Sequence, residues 1–183
     1  KTKYALIDEH NELKIRGFET VRRDWCTLAR KLQNNILQLI LQDKEQEAEE
    51  ELRHLVEQLK NRKSPLEELI IKTQLRKGIN DYVATGPHGA AAKRMEEKGV
   101  KISPGMLITY YVSEASGNNK KGKARNTRIG DRVKLPDEDG AYDIEYYLHN
   151  QILPAVENIF EVLDVSVVDI LNGQTQKGLF DFG

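Results

Sequence analysis

The feature that most restricts the fold of this chain is a glycine–proline junction near its middle. Thr85-Gly86-Pro87-His88 leads into the run Gly-Ala-Ala-Ala-Lys-Arg-Met-Glu-Glu-Lys over 89–98. Gly86 permits a backbone shape that other residues resist, and Pro87 fixes φ in the first turn of a helix, where its missing N–H costs nothing. The pattern therefore predicts a chain reversal, then a helix that begins near His88 and is capped by Gly99.

The start of that helix is a candidate anion site. A turn that feeds a helix N-terminus presents unpaired N–H groups at the positive end of the helix dipole. Lys77, Thr85 and His88 are close enough in sequence to join it. The alternative is an ordinary loop-to-helix junction, which the local pattern by itself favours, because proline is common at the first position of helices that bind nothing.

The first 19 residues predict two β-strands. Tyr4, Leu6, Leu13 and Ile15 are the alternating apolar positions on either side of the polar turn 9–12. A two-stranded hairpin alone is marginal in water. We therefore expect strands from outside this segment to complete its sheet.

Helical spacing of apolar residues dominates the next segment. A first helix is predicted after Asp24, which would serve as its N-cap or first-turn acid; its apolar positions are Trp25, Leu28, Leu32, Ile36, Leu39 and Ile40. A second helix is predicted over 45–61, with an acidic outer face and with Ala48, Leu52, Leu55, Val56 and Leu59 facing inward. His54 has no metal-ligand partner at a suitable spacing and is assigned to the surface.

The rest of the chain predicts a mixture of short elements and one long helix. Ser64-Pro65-Leu66-Glu67 indicates a helix start with Ser64 as N-cap, followed by a strand or extended piece and a helical turn. Pro104-Gly105 predicts a turn before a buried strand over 106–112. The segment 142–163 predicts a helix distorted at Pro154, with Tyr142, Tyr146 and Tyr147 packing in or beside the core rather than forming a base-stacking platform.

Charge is unevenly distributed although the formal net charge is only −1. The segment 44–68 is rich in glutamate, whereas 120–132 carries six lysines or arginines against one aspartate. A basic loop is commonly just solvated, but beside a polyanion each cation adds salt-sensitive affinity. The acidic run Asp137-Glu138-Asp139 is interpreted as solvated rather than as a convergent metal site.

The remaining composition points to the cytoplasm. Cys26 is the single cysteine, so it cannot form an internal disulfide and is predicted to be a core residue in a reducing compartment. No apolar run approaches membrane-spanning length, and the N-terminus does not look like a signal peptide. We expect no membrane partner.

Six sequence blocks resemble the archaeal and eukaryotic family B DNA polymerases, in that family's order and across nearly the whole chain. They are Lys3-Tyr-Ala-Leu-Ile-Asp8, Arg16-Gly-Phe-Glu-Thr-Val-Arg-Arg-Asp-Trp25, Tyr82-Val-Ala-Thr-Gly-Pro-His88, Gly99-Val-Lys-Ile-Ser-Pro-Gly105, Arg128-Ile-Gly-Asp-Arg132 and Tyr142-Asp-Ile-Glu-Tyr-Tyr-Leu-His-Asn-Gln-Ile-Leu-Pro-Ala-Val156. The resemblance implies an α+β fold. A hairpin over 1–20 would complete the palm sheet of another chain, a mainly α-helical thumb domain with a small β element would span 21–171, and a clamp-binding tail would span 172–183.

The resemblance also implies residues that hold primer–template DNA by its backbone. These DNA-binding residues are Lys1, Lys3, Tyr4, Arg16, Gly17, Arg22, Arg23, Lys72, Thr73, Arg76, Lys77, Thr85, Gly86, His88, Arg128 and Arg132. The family has a minor-groove lysine two residues before its tyrosine, but this chain has Thr2 there, so Lys1 and Lys3 are the candidates to replace it. In the tail, Gln176, Leu179 and Phe182 resemble the peptide by which replication proteins bind a sliding clamp.

The family's catalytic carboxylates, nucleotide-binding lysine helix and exonuclease acids are not in this sequence. We therefore expect no catalytic or metal-binding residue and no cofactor on this chain, with Mg²⁺ entering through the assembled polymerase. The resemblance implies the C-terminal part of an archaeal-type family B polymerase, inactive alone and partnered by a polypeptide carrying exonuclease, palm and fingers. We expect this chain to be the small subunit of a split polymerase and its partner the large subunit, and the alternative is that the two are pieces of one cut chain. The alternatives are a noncatalytic protein that recruits a replication clamp and, less favoured, an RNA-binding adaptor.

Overall fold

The computed structural model describes residues 4–7, 13–16, 24–78, 86–115 and 128–172, the first two ranges by their backbone. Its α-helices are α1 (Thr27–Ile40), α2 (Glu45–Lys60), α3 (Leu66–Leu69), α4 (Pro87–Glu97), α5 (Ile144–Tyr147), α6 (Leu153–Phe160) and α7 (Val167–Asn172). Its strands are β1 (Tyr4–Ile7), β2 (Leu13–Arg16), β3 (Ile71–Gln74), β4 (Leu107–Val112) and β5 (Val133–Lys134). The chain is thus a mixture of helices and small antiparallel sheets.

The chain divides into two compact units. The first, here called the helical unit, comprises 1–21, 28–63 and 148–183, and the second, the sheet unit, comprises 22–27 and 64–147. In the helical unit, β1 and β2 pair antiparallel from Tyr4 opposite Arg16 to Ile7 opposite Leu13. These strands lie where the alternating pattern predicts them.

Helix α2 forms as its apolar spacing predicts. Its five buried side chains are the five expected ones, Ala48, Leu52, Leu55, Val56 and Leu59, while His54 is exposed. Arg53 donates from Nε to the carbonyl of Ile170 in α7, at 3.3 Å. Within α1, Gln33 is buried and its side-chain amide donates to the carbonyl of Ala155 in α6.

The start predicted for α1 is wrong. The helix begins at Thr27, three residues after Asp24, and has no acid in its first turn. Trp25 and Cys26 precede the helix and are 2% and 0% exposed. Burial of these two side chains in a turn is worth more than extending the helix by a few residues, so Asp24 is not its N-cap.

The helical segment that contains Pro154 is locally distorted, as predicted. A π-helical stretch, Leu148–Ile152, separates α5 from α6, and Pro154 is the second residue of α6. Proline has no N–H to donate and its ring collides with the carbonyl four residues earlier. A wider π turn next to the proline relieves that conflict.

The sheet unit is built on the antiparallel order β3-β4-β5. Ile71 lies opposite Tyr110 and Thr73 opposite Ile108, so these residues share one face of the sheet. A turn at Pro104–Gly105 precedes β4, as predicted. Gly105 adopts a φ of +88°, which favours glycine, and its N–H donates to the carbonyl of Leu75 at 2.7 Å.

Tyr147 joins three parts of the sheet unit. Its hydroxyl donates to the carbonyl of Leu69 at 2.8 Å and accepts the N–H of Val112 at 3.2 Å. Tyr142 and Tyr146 contact its ring edge-on, with centroids 6.1 and 5.3 Å away. Burial raises the pKa of Tyr147 well above its ordinary value, so the hydroxyl stays protonated. The tyrosines pack in or beside the core, as predicted.

The predicted cap of α3 is wrong by one residue. Pro65, not Ser64, precedes the helix, and no side chain caps it. Among the described residues, the buried Ser64 hydroxyl has no hydrogen-bond partner. Pro65 has an extended ψ of 138°, so the helix begins only after the proline. The Ser64 hydroxyl is therefore too far away to cap the first N–H groups of the helix.

Cys26 is a buried free thiol, in agreement with its predicted place in the core. In the part of the chain that the structure describes, no helix is both long and apolar enough to cross a membrane.

Candidate nucleic-acid interface

Helix α4 begins at the predicted glycine–proline junction. The conformation of Gly86, however, is not the predicted one. Pro87 is its first residue, and Ala90 donates to the carbonyl of Gly86 at 3.0 Å. Gly86 has φ −64° and ψ 171°, an extended conformation open to any residue, so the expected special backbone shape is absent. Instead, a Cβ at Gly86 would lie 3.2 Å from Cε1 of His88, so any larger residue there requires a small shift of that ring.

The other end of α4 closes as predicted at Gly99. Its φ is +86°, its N–H donates to the carbonyl of Glu96 at 2.8 Å, and Val100 donates to Met95 at 3.0 Å. This pair of bonds is the Schellman arrangement that satisfies the last carbonyls of a helix.

The N-terminus of α4 is a candidate anion site. Its N-cap is Gly86, which has no side chain to accept a hydrogen bond from the first N–H groups of the helix. His88 stands in this first turn, half-buried. Burial lowers the pKa of His88 below its ordinary 6.5, so the neutral imidazole is favoured at pH 7.

Strand β3 separates two of the predicted DNA-binding residues. Lys72 is exposed, whereas Thr73 is half-buried and lies on the face that carries Ile71 and Tyr110. Neighbouring strand residues point to opposite faces, so Lys72 and Thr73 cannot reach the same phosphate. Beyond the strand, Arg76 and Lys77 are both exposed. Lys72, Arg76 and Lys77 are here called the basic segment.

Two of the three cations of the basic segment, Arg76 and Lys77, follow a firmly held piece of backbone. Leu75 N donates to the carbonyl of Met106 at 2.9 Å, and the side-chain amide of Gln74 donates to the carbonyl of Gly105 at 2.9 Å. These bonds fix the end of β3 against the turn before β4. The cations that follow are therefore presented from an ordered strand end.

Arg128 and Arg132 lie at the two ends of one turn but differ in surroundings. A 3₁₀ turn, Ile129–Arg132, contacts α4, and Arg128 immediately before it is exposed. Arg132 forms an ion pair with Asp143 in which the two side chains are 23% and 12% exposed. The structure therefore offers Arg128 to solvent and engages Arg132 internally.

The acidic run 137–139 is not simply solvated, contrary to the interpretation from sequence. Arg94 in α4 binds both carboxylate oxygens of Glu138, at 3.2 and 3.3 Å, and Lys98 binds Asp137 at 2.8 Å. Burial by itself would raise the pKa of Glu138, but the N–H of Leu135 and the Arg94 guanidinium hold that pKa below its usual range. Glu138 thus fixes α4 to the loop after β5.

Sequence reasoning did not identify Asp143, Glu138 or Arg94 as important. Asp143 stands immediately before α5, so its position as a helix cap was a usable signal. The pair of Arg94 with Glu138 joins residues 44 positions apart, and nothing in the local pattern indicates it.

Some predicted site residues lie outside the described part of the chain. These are Lys1, Lys3, Gly17, Arg22, Arg23 and Thr85, with the tail residues Gln176, Leu179 and Phe182. Tyr4 and Arg16 are backbone partners in the β1–β2 pair. Within the described ranges, no group of three or more His, Cys, Asp or Glu side chains is placed to hold a metal ion.

Comparison with known proteins gives one family. The profile of DNA polymerase family B matches residues 1–163. DNA polymerases from Thermococcus sp. (strain 9oN-7) and Thermococcus gorgonarius are 40% and 41% identical to this chain over 182 residues, 97% of its length. The family B DNA polymerase structure from Pyrobaculum calidifontis superposes with a TM-score of 0.72 and 31% identity over 91% of the chain.

The chain corresponds to a limited part of these relatives. It covers 22% of both the 9oN-7 and the Thermococcus gorgonarius proteins and 21% of the Pyrobaculum chain.

Proposed function

The chain belongs to DNA polymerase family B, and from this premise we propose that it supplies the thumb of such a polymerase, gripping primer–template duplex through its phosphates. The observation that carries the proposal is the exposed basic segment, with Lys72 inside β3 and with Arg76 and Lys77 just beyond its fixed end. Cations of this kind bind phosphate irrespective of base sequence, which is what a polymerase requires of its grip.

Two further features support the same assignment. The N-terminus of α4, which begins after Gly86, would bind an anion through the positive end of the helix dipole. The exposed Arg128 adds a cation at a turn that contacts this helix. The acidic outer face of α2 is expected to point away from DNA, because like charges repel.

The chemistry of nucleotide addition is proposed to reside on another polypeptide. Nucleotidyl transfer uses two divalent ions about 3.5–4 Å apart, held by convergent carboxylates. Such ions, proposed to be Mg²⁺, would be held by a large subunit carrying exonuclease, palm and fingers. The hairpin over 1–20 would complete the palm sheet, 21–171 would form the thumb, and the tail 172–183 would bind a sliding clamp through Gln176, Leu179 and Phe182.

A primer-extension assay tests whether catalysis resides on another polypeptide. The purified chain with Mg²⁺ and all four nucleotides is expected to extend no primer, and addition of the polypeptide that bears the catalytic acids is expected to restore extension. Extension by the chain alone would overturn this part of the proposal.

Salt-dependent binding tests the grip itself. In the assembled polymerase, Arg76→Ala with Lys77→Ala should lower affinity for a primer–template duplex and reduce the slope of log K against log salt by about 2, since each phosphate contact contributes about 0.9. The matched control is Lys60→Ala with Lys63→Ala, two exposed lysines near the end of the acidic helix, which should leave the slope unchanged.

Equal behaviour of the two double variants would favour the alternative of a noncatalytic clamp-binding protein. That alternative predicts loss of clamp binding in Phe182→Ala without any change in duplex affinity. Tighter binding to single-stranded RNA than to duplex DNA would instead favour an RNA-binding adaptor.

A further inference from the structure

The Arg132 guanidinium is engaged by a carboxylate of its own unit and is largely buried. Its Nη1 pairs with Oδ2 of Asp143, and its side chain is 23% exposed. Its Nε is buried and, among the described atoms, without a hydrogen-bond partner. A phosphate ligand needs accessible donors in its planar fork, and here Nη1 is held by a carboxylate of the same unit and Nε is buried.

Asp143 connects two elements of the sheet unit. Its second oxygen, Oδ1, accepts the N–H of Tyr146 at 2.9 Å and so caps the start of α5. Its own N–H donates to the carbonyl of Val112, the last residue of β4, at 3.0 Å. One carboxylate therefore holds the cap of a helix and the side chain of Arg132 at the same time.

Arg132 is also held through its backbone. Its carbonyl accepts both the N–H and the hydroxyl of Ser113, at 2.8 and 2.9 Å. At the other end of the 3₁₀ turn, the carbonyl of Arg128 accepts the N–H of Asp131 at 2.9 Å. Arg128 is thus a single turn away from a residue fixed by its side chain and its main chain.

We propose that Arg132 is a positioning residue rather than a DNA ligand: by pairing with Asp143 it fixes the 3₁₀ turn that presents Arg128 to the duplex. This inference rests on the proposed function and refines it, because it moves one of the sequence-predicted DNA-binding residues from contact with DNA to support of a neighbour. Arg128 then makes the phosphate contact, and the Arg132–Asp143 pair determines where that contact lies.

The two roles predict opposite effects of neutralising Asp143. If Arg132 were a phosphate ligand, Asp143 would compete with DNA for its guanidinium, and Asp143→Asn would tighten duplex binding. If Arg132 positions Arg128, the same substitution loosens the turn and weakens binding. Asparagine can still cap α5, so the variant removes the charge while keeping the helix start.

The experiment measures affinity for a fluorescent primer–template duplex at several salt concentrations, using the full chain in the assembled polymerase. Asp143→Asn should weaken binding about fivefold and reduce the salt slope by about 1, the share of one phosphate contact. The control Asp131→Asn removes the same charge from an exposed position in the same turn, and it should leave binding unchanged or slightly tighter.

A second variant tests whether the effect passes through Arg128. Arg128→Ala should weaken binding by at least as much as Asp143→Asn. In the Arg128→Ala background, Asp143→Asn should cause less than a twofold further change, since sites that act through one contact are not additive. A full fivefold additional loss in that background would overturn the positioning role.

The outcomes separate this inference from the proposed function. If Arg128→Ala weakens binding while Asp143→Asn behaves like Asp131→Asn or tightens binding, the positioning role is wrong and the grip stands. If Arg128→Ala changes neither affinity nor salt slope, the contact assigned to this turn is wrong and the positioning role is wrong with it. The test of Arg76 and Lys77 described above remains independent of both results.

Discussion

Three ion pairs of the sheet unit each join a basic and an acidic side chain, but they differ in how much of those side chains is buried. Arg132 and Asp143 are 23% and 12% exposed, whereas Lys98 and Asp137 are 40% and 69% exposed. Arg94 with Glu138 lies between these extremes at 39% and 19%. Exposed pairs are screened by water and contribute little, whereas breaking a buried pair leaves an uncompensated charge. The comparison indicates that stability depends on where a pair sits more than on how many pairs there are.

The largest effect should come from Asp143→Ala. This change leaves Arg132 without its carboxylate and α5 without its cap, and should lower the free energy of unfolding by about 3 kcal/mol. Urea denaturation followed by circular dichroism measures it. Asp131→Ala, in the exposed part of the same turn, should change the free energy of unfolding by less than about 0.5 kcal/mol. Equal losses in the two variants would remove the distinction by burial.

Glu138→Ala should have an intermediate effect. It removes the acceptor for Arg94 and for the N–H of Leu135, and should cost about 1 kcal/mol because one partner remains partly solvated. Asp139→Ala, one residue further along the same loop and exposed, is the matched control and should be close to neutral. A loss as large as that of Asp143→Ala would place Glu138 with the buried pair.

The pH dependence of the stability of Glu138→Gln tests whether the ionised Glu138 carboxylate stabilises the fold. The pKa of Glu138 is lower in the folded chain than its ordinary 4.5. Its stabilisation is therefore fully present above that value and is lost as the pH falls through the lower folded pKa. The melting temperature of the wild type should exceed that of the variant at pH 7, and the gap should close as the pH falls below 4.5 and through the lower folded pKa. A gap that persists at pH 2.5 would contradict the role of the ionised carboxylate.

The smallest effect should come from Lys98→Ala. The Asp137 carboxylate raises the pKa of Lys98, but both side chains are exposed and water screens their attraction. No shift in melting temperature should be resolved by scanning calorimetry at 0.15 M salt. A clear loss of stability at low salt that vanishes at 1 M would show that the exposed pair contributes only when unscreened.

Local patterns predicted most of the described elements and the buried face of α2, but not every buried position, because Leu107 in the strand predicted to be buried is 55% exposed. The apolar spacing of α2 gave all five of its buried side chains, and the glycine–proline junction gave the start of α4. Predictions failed where packing overrides the local pattern. At Asp24, burial of Trp25 and Cys26 in a turn moves the start of α1 to Thr27. Ser64 failed as a cap because the backbone of Pro65 shifted the helix by one residue.

The candidate site was less accessible to sequence reasoning. The sequence supplied the cations but could not distinguish the exposed Arg128 from the engaged Arg132, or place Lys72 and Thr73 on opposite faces of β3. The partners of Arg132 and Arg94 lie 11 and 44 residues away in the sequence. Helix and strand periodicity relates residues only a few positions apart, so it does not indicate such pairs.

The amino-acid sequence by itself determined the family, through the six blocks that resemble family B polymerases. It also determined the antiparallel strands near the N-terminus and the apolar faces of the helices, because hydrophobic periodicity and turn residues act over a few neighbouring positions. Only the tertiary structure decided which charges are buried and which are presented to solvent. That decision depends on how distant segments approach one another, and the energy of a charged pair changes with the water that this approach excludes.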